Sequence, residues 1–372
     1  MPGKLTFWRR RVTVILLVGG IAAAIWVALA DGTPTTPRRA GPAASLSIAE
    51  LAGQRLIAGF SGPSPPAKLK SMIGSGELAG VILFDENLGS RNHARRLIRS
   101  LQAIKRPTGL RSPLLIMIDQ EGGLVKRLSG PPNASAEEMG RRGRAYSSRQ
   151  GAKTAANLKD VGVNVNLAPV LDVGRPGSAI AAQHRSFGST PSKVIDAAVP
   201  FASAMQRGGV AATGKHFPGL GDAKQDTDVA VQRIRVSKSK LRRIDERPYG
   251  PFTAKHGKLV MLSTAIYTDF SHRPGAFTRS IATGELRHRV GFTGVSITDA
   301  LETTSAGDFG GPAKVGVAAA RAGADLLLYT DDDDAARAGH ALREKLRHGS
   351  LKRSGFEPSV NRVLSLRSSL GE

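Results

Sequence analysis

The segment from 215 to 228 concentrates the side chains that could carry out chemistry. It begins with Lys215-His216, continues through two spaced glycines and a proline, and ends with Asp226 and Asp228. An ammonium, an imidazole and two carboxyl groups on one loop after a short apolar run are typical of a catalytic loop. A polar surface loop can have the same composition, so this segment alone leaves both interpretations open.

The two carboxylates indicate acid–base chemistry. Asp226 and Asp228 are two residues apart, and in an extended loop such residues point to the same side. Their mutual repulsion would then raise the pKa of one of them enough for it to donate a proton. Asp222, earlier in the same loop, is a weaker candidate for this role.

Eight short apolar runs alternate with segments of helical periodicity along the chain. The runs cover residues 55–60, 80–84, 114–118, 163–167, 210–213, 259–262, 294–297 and 325–329. This alternation is typical of parallel βα units, and eight units predict an α/β fold of the (β/α)8 TIM barrel type. An open doubly wound sheet is the alternative, but no Gly-x-Gly-x-x-Gly motif follows an early strand.

Polar side chains stand where several of these runs end: Asp119, Lys215, His216, Thr264 and Asp299. In a barrel the carboxyl ends of the strands converge on one face, where active sites form. The sequence therefore predicts that these side chains share one site.

A basic and then apolar segment opens the chain. Lys4 and three consecutive arginines precede residues 12–30, which carry no charge. As a helix this run would span roughly 28 Å, close to the thickness of the hydrocarbon core of a bilayer. Residues 1–30 are therefore predicted to be a signal anchor, or a signal peptide cleaved after Ala28-Leu29-Ala30. We expect a linker at 31–44 and a single barrel domain at 45–372, extracytoplasmic and tethered to the membrane, or secreted.

The composition restricts the partners. The net charge of +23, from 53 Lys and Arg against 30 Asp and Glu, favours anionic cell-wall polymers or lipid headgroups. No basic motif is interleaved with aromatic residues, so no nucleic acid is expected. The chain has no cysteine, which excludes disulfides and thiolate catalysis. No metal-ligand spacing occurs, so neither a metal nor a cofactor is predicted.

Four stretches occur in an order that is found in one enzyme family. They are Asp-x-Glu-Gly-Gly-x-Val-x-Arg at 119–127, Arg-Ser-Phe-Gly at 185–188, Lys-His-Phe-Pro-Gly at 215–219, and Thr-Asp at 298–299. From about residue 48 to the C-terminus the chain resembles glycoside hydrolase family 3, especially its bacterial β-N-acetylhexosaminidase branch.

The resemblance implies a role for each matching residue. The side chains that would bind the terminal sugar are Asp119, Arg127, Arg185, Lys215 and His216. Asp299 would be the nucleophile that forms a glycosyl-enzyme intermediate. An aspartate after a strand could instead cap the helix that follows.

The chain departs from the family pattern at three histidines. Family members read Lys-His-Phe-Pro-Gly-His-Gly and then Asp-Ser-His, whose last residue is the general acid/base. Here Leu220 and Asp228 occupy the two histidine positions, and Thr264 stands at a third, after the sixth strand. Either Asp228, supported by Asp226, has become the acid/base, or catalysis has been lost.

The resemblance implies an exported, retaining glycoside hydrolase that removes β-linked terminal N-acetylglucosamine from peptidoglycan or its fragments. The alternative from another class is a non-catalytic cell-wall glycan-binding protein that has kept the sugar pocket. A β-glucosidase or a glycoside phosphorylase of the same family is a further alternative. A glycoside with an activated phenol separates a missing acid from an inactive site, because such a leaving group needs no protonation.

Overall fold

The computed structural model describes residues 41–371. The strands in this part of the chain are β1 (Leu56–Ala58), β2 (Gly80–Ile82), β3 (Leu115–Ile118), β4 (Gln120–Gly122), β5 (Val125–Lys126), β6 (Val165–Asn166), β7 (Ala211–Phe217), β8 (Arg233–Ile234), β9 (Leu259–Leu262), β10 (Ile266–Tyr267), β11 (Val295–Thr298) and β12 (Leu327–Tyr329).

Eight of these strands form one parallel sheet in the order β11-β9-β7-β6-β3-β2-β1-β12. A parallel bridge between Ile297 and Leu326 brings the two edge strands together, so the sheet closes into a barrel. Each of the eight apolar runs in the sequence overlaps one barrel strand. The predicted (β/α)8 barrel is therefore confirmed.

Helices surround the barrel. The α-helices are α1 (Ile48–Gly53), α2 (Ala67–Gly74), α3 (Asp85–Leu88), α4 (Arg91–Ala103), α5 (Ala136–Arg142), α6 (Arg144–Val161), α7 (Ala179–Ala182), α8 (Pro191–Arg207), α9 (Lys238–Arg243), α10 (Tyr249–Ala254), α11 (Thr304–Gly307), α12 (Pro312–Ala322), α13 (Asp332–Arg347) and α14 (Arg353–Ser369). Short 3-10 helices cover Pro42–Ser45, Thr108–Leu110 and Gly275–Phe277, and a π-helix covers Ser280–Arg289.

Polar caps define several helix starts. Asp331, for example, accepts the amides of Asp333 and Asp334 at the start of α13, which satisfies donors that would otherwise lack a partner.

The side chains of successive strand residues point alternately into the barrel and towards the helices, which divides the hydrophobic core into two layers. On β3, Leu115 and Met117 belong to the cluster that fills the barrel, whereas Ile116 and Ile118 pack in the larger cluster beneath the helices. Because successive side chains of a strand point to opposite faces, a continuous run of apolar residues fills both layers. This double burial explains why the barrel strands are readable as uniformly apolar segments.

Strand β7 is longer than the sequence predicted. The apolar run suggested an end at Thr213, so Lys215 and His216 were expected after the strand, but β7 continues to Phe217. Its register against β9 shifts between Gly214 and Phe217. Both polar side chains are buried in this strand, and they continue it because each has a carboxylate partner, as described below.

A hairpin of β4 and β5 follows the third barrel strand directly. Its turn requires glycine, since Gly122 has a φ of 98° and a Cβ there would lie 2.2 Å from the carbonyl oxygen of Ala134. A separate two-stranded parallel sheet pairs β8 with β10. Both additions lie on loops that follow barrel strands, which are the loops that form active sites in this fold.

The predicted signal or anchor segment at 1–30 and most of the linker at 31–44 lie outside the described residues, which begin at 41. Across residues 41–371, no helix combines the length and the apolar character that are needed to cross a bilayer.

Candidate active site

A cavity of about 320 Å³ brings together the eight side chains that were predicted to catalyse the reaction or to bind the sugar. The predicted residues that line it are Asp119, Arg127, Arg185, Lys215, His216, Asp226, Asp228 and Asp299. Thr264, which was expected with them, is buried and does not line the cavity. Asp222, the weaker acid candidate, also lies away from the cavity, 3.9 Å from Arg175.

Two cations that line the cavity, the buried Lys215 and the partly buried Arg185, are fixed by acidic partners. The Nζ of Lys215 lies 2.6 Å from Asp119 Oδ1 and 2.8 Å from Glu121 Oε1. Arg185 donates two hydrogen bonds to Glu121, each 2.9 Å long. Such a bidentate pair fixes the guanidinium plane, so the two cations present donors in defined directions.

The pKa values in this cluster follow from the charges. Burial raises the pKa of Glu121, but Arg185 and Lys215 outweigh it and lower that pKa to about 2. Burial lowers the pKa of Lys215, but Asp119 and Glu121 outweigh it and raise that pKa. Both Glu121 and Lys215 therefore carry their full charge at neutral pH. Glu121 is part of the sequence motif at 119–127. The motif alone does not show that Glu121 links Arg185 and Lys215.

His216 is held by a buried aspartate that the sequence interpretation missed. Asp172 Oδ2 lies 2.7 Å from His216 Nδ1, while its Oδ1 accepts the backbone amides of His216 and Leu220 at 3.2 and 2.6 Å. Burial disfavours the charged imidazole, but Asp172 outweighs this effect and raises the pKa of His216. The available signal was an aspartate directly after the apolar stretch 167–171, at the end of the fourth strand unit.

Asp299 and Asp228 face one cavity from two different loops. Asp299 follows β11, and its Oδ1 accepts the amide of Ala300 at 3.0 Å. Burial raises the pKa of Asp299, whereas His216, Lys215 and this amide oppose the rise. Burial also raises the pKa of Asp228, to about 7, and the carboxylates of Asp299 and Asp226 add to the shift. His216, Lys215 and the Ala300 amide thus favour the ionised form of Asp299, whereas the carboxylates of Asp299 and Asp226 disfavour the ionised form of Asp228.

The loop that carries the predicted acid is a turn rather than the extended segment that was expected. Asp226 Oδ1 accepts the amide of Asp228 at 3.1 Å, and the amides of Val229 and Ala230 bond to the carbonyl of Asp226. The side-chain bond favours this local turn over extended backbone. Asp226 also lies 3.5 Å from Arg185 Nη1, so the turn still brings both carboxylates to the cavity.

Arg127 lies at the rim. Its guanidinium is 5.7 Å from the centre of the Phe84 ring and 3.9 Å from the carboxylate of Asp85. Its Nε is buried and has no hydrogen-bond partner among residues 41–371. Leu220 and Thr264, at positions where the resembling family has histidine, are both buried, and the hydroxyl of Thr264 also lacks a partner in that part of the chain.

His184 directly precedes Arg185 but does not line this cavity. It lines a separate cavity of about 940 Å³ and pairs with Glu137 at 2.5 Å. The neighbouring Arg185 reaches the smaller cavity instead, together with Gln183. The backbone between 183 and 186 therefore separates the two cavities.

The arrangement combines two carboxyl groups, Asp228 and Asp299, with two fixed cations and an oriented imidazole. A protonated carboxylic acid and an ionised carboxylate on one pocket can act as proton donor and nucleophile on a glycosidic bond. The cations can donate hydrogen bonds to hydroxyl or carbonyl oxygens of a bound sugar.

Comparisons with known proteins agree with this chemistry. The family model described as the glycosyl hydrolase family 3 N terminal domain matches residues 47–366. A relative from Arthroderma benhamiae, named an uncharacterized secreted glycosyl hydrolase, is 37% identical over 343 residues, with 89% of this chain and 96% of the relative covered. A protein from Methylococcus capsulatus named beta-hexosaminidase is 31% identical over 280 residues, with 74% and 82% covered.

Solved structures share the fold. The family 3 beta-N-acetylglucosaminidase of a Paenibacillus species superposes with a TM-score of 0.82 at 29% identity, with 88% of this chain and 63% of that chain covered. The beta-N-acetylhexosaminidase of Beutenbergia cavernae gives a TM-score of 0.81 at 27% identity, with 87% and 99% covered. The chain thus spans less than two thirds of the Paenibacillus enzyme but nearly the whole of the Beutenbergia enzyme.

Proposed function

Because the chain belongs to glycosyl hydrolase family 3, we propose that it is a retaining glycosidase with Asp299 as nucleophile and Asp228 as acid/base. The observation that carries this proposal is that the carboxyl groups of Asp299 and Asp228, on two different loops, line one cavity, where burial and neighbouring carboxylates raise the pKa of Asp228 to about 7. Family membership makes the chain a glycosidase that hydrolyses O-glycosyl bonds. The individual residue roles are the proposal.

In the first step, Asp299 attacks the anomeric carbon and the bond to the leaving group breaks. Asp228 gives its proton to the departing oxygen, so that the aglycone leaves as an alcohol and the sugar is esterified to Asp299. In the second step, ionised Asp228 takes a proton from water, and the resulting hydroxide attacks the same carbon and releases Asp299. Two inversions retain the β configuration.

The proposed substrate is a β-linked terminal N-acetylglucosamine on peptidoglycan or its fragments. The support comes from relatives named beta-hexosaminidase and from similar structures named beta-N-acetylglucosaminidase or beta-N-acetylhexosaminidase. Lys215 and Arg185 supply the hydrogen-bond donors that hydroxyl and acetamide oxygens require. Asp119, His216 and Arg127 complete the proposed sugar-binding set.

The experiment that tests the nucleophile uses Asp299→Ala. We expect turnover to fall by several orders of magnitude, while sugar binding and the unfolding midpoint are retained. The matched control is Asp196→Ala, an exposed aspartate on α8, which should keep full activity. A 2-fluoro sugar should label Asp299 covalently. Labelling of another carboxylate, or near-normal turnover by Asp299→Ala, would reject the assignment.

A non-catalytic glycan-binding protein remains the second candidate, and the absence of the family histidine at position 228 favours it. If the wild-type chain binds N-acetylglucosamine but turns over no activated phenyl glycoside, this candidate replaces the enzyme. Comparing glucosides with N-acetylglucosaminides, each with and without inorganic phosphate, tests the β-glucosidase and phosphorylase alternatives in the same assay.

We also propose export, with residues 1–30 as an anchor or a cleaved signal. The support is the basic flank before the apolar run at 12–30 and the name of the Arthroderma relative as secreted. Protease added to intact spheroplasts should digest the barrel domain. Full protection, with digestion only after lysis, would contradict export.

A further inference from the structure

A groove on the outer surface of the barrel combines an apolar floor with a ring of cations. It has a volume of about 580 Å³ and lies between α12, α13 and the segment at 273–279. The floor is formed by Phe277, Val317, Ala318, Ala322 and Ala341. The cations around it are Arg273, Arg279, Lys314, Arg321 and Lys345.

The cations of this groove have no acidic partners. All five are exposed, and no acidic side chain is among the residues that line the groove. Within residues 41–371, none of the five forms an ion pair, whereas three other arginines on α13 (Arg337, Arg343 and Arg347) each pair with a carboxylate. Uncompensated like charges repel one another, so an anion bound among them would be stabilised.

The helical spacing directs the cations and the floor to the same side. On α12, Lys314, Ala318 and Arg321 follow one another at intervals of four and three residues, which places them on one helix face. On α13, Ala341 and Lys345 are four residues apart and share a face for the same reason. The small alanine side chains leave the depression between the helices, and the longer basic side chains border it.

We propose that this groove binds an anionic phospholipid, with the phosphate among the cations and the apolar part of the lipid along the floor. An apolar floor adds affinity only for a ligand that has apolar surface to bury, which favours a lipid over inorganic phosphate or a hydrophilic polyanion. Basic pockets between helices suit lipid headgroups. The predicted anchor at residues 1–30 would bring the barrel close to such lipids.

The test uses the full chain in a neutral detergent, with dihexanoylphosphatidylglycerol as the probe and dihexanoylphosphatidylcholine as the uncharged comparison. We expect saturable binding of the anionic lipid that weakens at least tenfold in Lys314→Gln/Arg321→Gln. The matched control is Arg96→Gln/Arg99→Gln, which removes two exposed cations from α4 and should change binding less than twofold. Ala318→Leu fills the floor without changing charge, and it should weaken lipid binding but not binding of inorganic phosphate.

Several outcomes would overturn the proposal. An equal loss of lipid binding in Lys314→Gln/Arg321→Gln and in Arg96→Gln/Arg99→Gln would show that only the overall positive charge of the protein attracts the lipid. Equal binding of phosphatidylcholine would show that the cations do not select the ligand. Binding of poly(glycerol phosphate) at lower concentration than the lipid, unaffected by Ala318→Leu, would assign the groove to an anionic polymer. Unchanged unfolding midpoints in the two double variants and in Ala318→Leu would show that any loss of lipid binding arises at the groove and not from unfolding.

Discussion

Glu121 holds together the cations on which sugar binding is proposed to depend. It is buried and contacts both Arg185 and Lys215, and its pKa falls from an ordinary 4.5 to about 2. A carboxyl group whose pKa is lower in the folded state contributes stability above its unfolded pKa, and that stability is lost as the pH falls towards the folded value. Glu121 therefore stabilises the folded protein fully above about pH 4.5 and progressively less towards pH 2.

Replacing Glu121 by glutamine should leave Asp119 as the close carboxylate partner of Lys215 and the more distant Asp226 as that of Arg185. Breaking a buried ion pair from one side typically costs about 3–5 kcal/mol, so Glu121→Gln should lower the free energy of unfolding in urea by roughly 3 kcal/mol. The KM for an N-acetylglucosaminide should rise as well, because Arg185 loses its bidentate partner. The control, Glu137→Gln, removes an exposed carboxylate and should cost less than about 0.5 kcal/mol. A loss no larger than the control's would contradict the proposed contribution of Glu121.

Asp228 should control the alkaline side of the pH profile. As a proton donor it must be protonated, so turnover of an unactivated disaccharide should fall as the pH rises through about 7. With an activated phenol as leaving group, the bond-breaking step should lose most of this dependence, since no proton is needed. Asp228→Asn should slow disaccharide hydrolysis by roughly 10²–10⁴-fold. The same variant should spare the bond-breaking step of the activated phenyl glycoside. Added azide should restore release of the sugar from Asp299. An unchanged disaccharide profile in Asp228→Asn would exclude Asp228 as the acid/base.

Among the secondary-structure elements, sequence identified those whose signal is local. The barrel strands are runs of apolar residues buried on both sides, so composition alone locates them. The length of β7 could not be read in this way, because Lys215 and His216 are tolerated in the strand only through Asp119, Glu121 and Asp172. Asp172 is 44 residues from His216 in the chain, and a partnership at that separation leaves no periodic pattern.

The position of the acid-bearing turn depends on the helix that follows the nucleophile strand. The hydroxyl of Ser305, on α11, donates to the carbonyl of Ala230 at 2.8 Å, and the amide of Thr304 approaches the carbonyl of Asp228 at 3.4 Å. Gln232 holds the other side of the turn by accepting the amides of Lys224 and Gln225, each at 3.1 Å. Asp228 is thus fixed relative to the element that follows Asp299.

Ser305→Ala should therefore act as a positioning change. Loss of its hydrogen bond is expected to lower kcat for the disaccharide several-fold, because a misplaced donor transfers its proton less often. The activated phenyl glycoside should be almost unaffected in its first step, and KM should change little for either substrate. Ser350→Ala, at an exposed position, is the control. Equal losses for activated and unactivated substrates would indicate general disruption of the site rather than loss of donor positioning.

For the molecule as a whole, closure of the barrel depends on a charge cluster between its last two strands. Asp325 precedes β12, is fully buried, and accepts from Arg287 at 2.5 Å and Arg362 at 2.6 Å. It also accepts the amide of Ser296 on β11 at 2.9 Å. Burial raises the pKa of Asp325, but the two arginines outweigh it and the pKa is lowered. Because Asp325 stands at the amino end of its strand, this cluster lies away from the face that carries the cavity, where a structural role is expected.

Asp325→Asn should therefore weaken the fold and leave the chemistry intact. The amide can still accept from Ser296, but two arginines lose their counter-charge inside the protein, at an expected cost of about 3–5 kcal/mol. Urea unfolding of wild type and variant should show this difference at neutral pH, and the difference should narrow below about pH 4 as the wild-type carboxyl takes up a proton. KM and kcat measured well below the unfolding transition should be unchanged, since no catalytic side chain contacts Asp325. Asp333→Asn, an exposed carboxylate on α13, is the matched control and should change the free energy of unfolding far less, because exposed ion pairs contribute little. If Asp325→Asn and Asp333→Asn unfolded at the same urea concentration, the charge cluster around Asp325 would not stabilise the closure between β11 and β12. The backbone hydrogen bonds between these strands would then be sufficient.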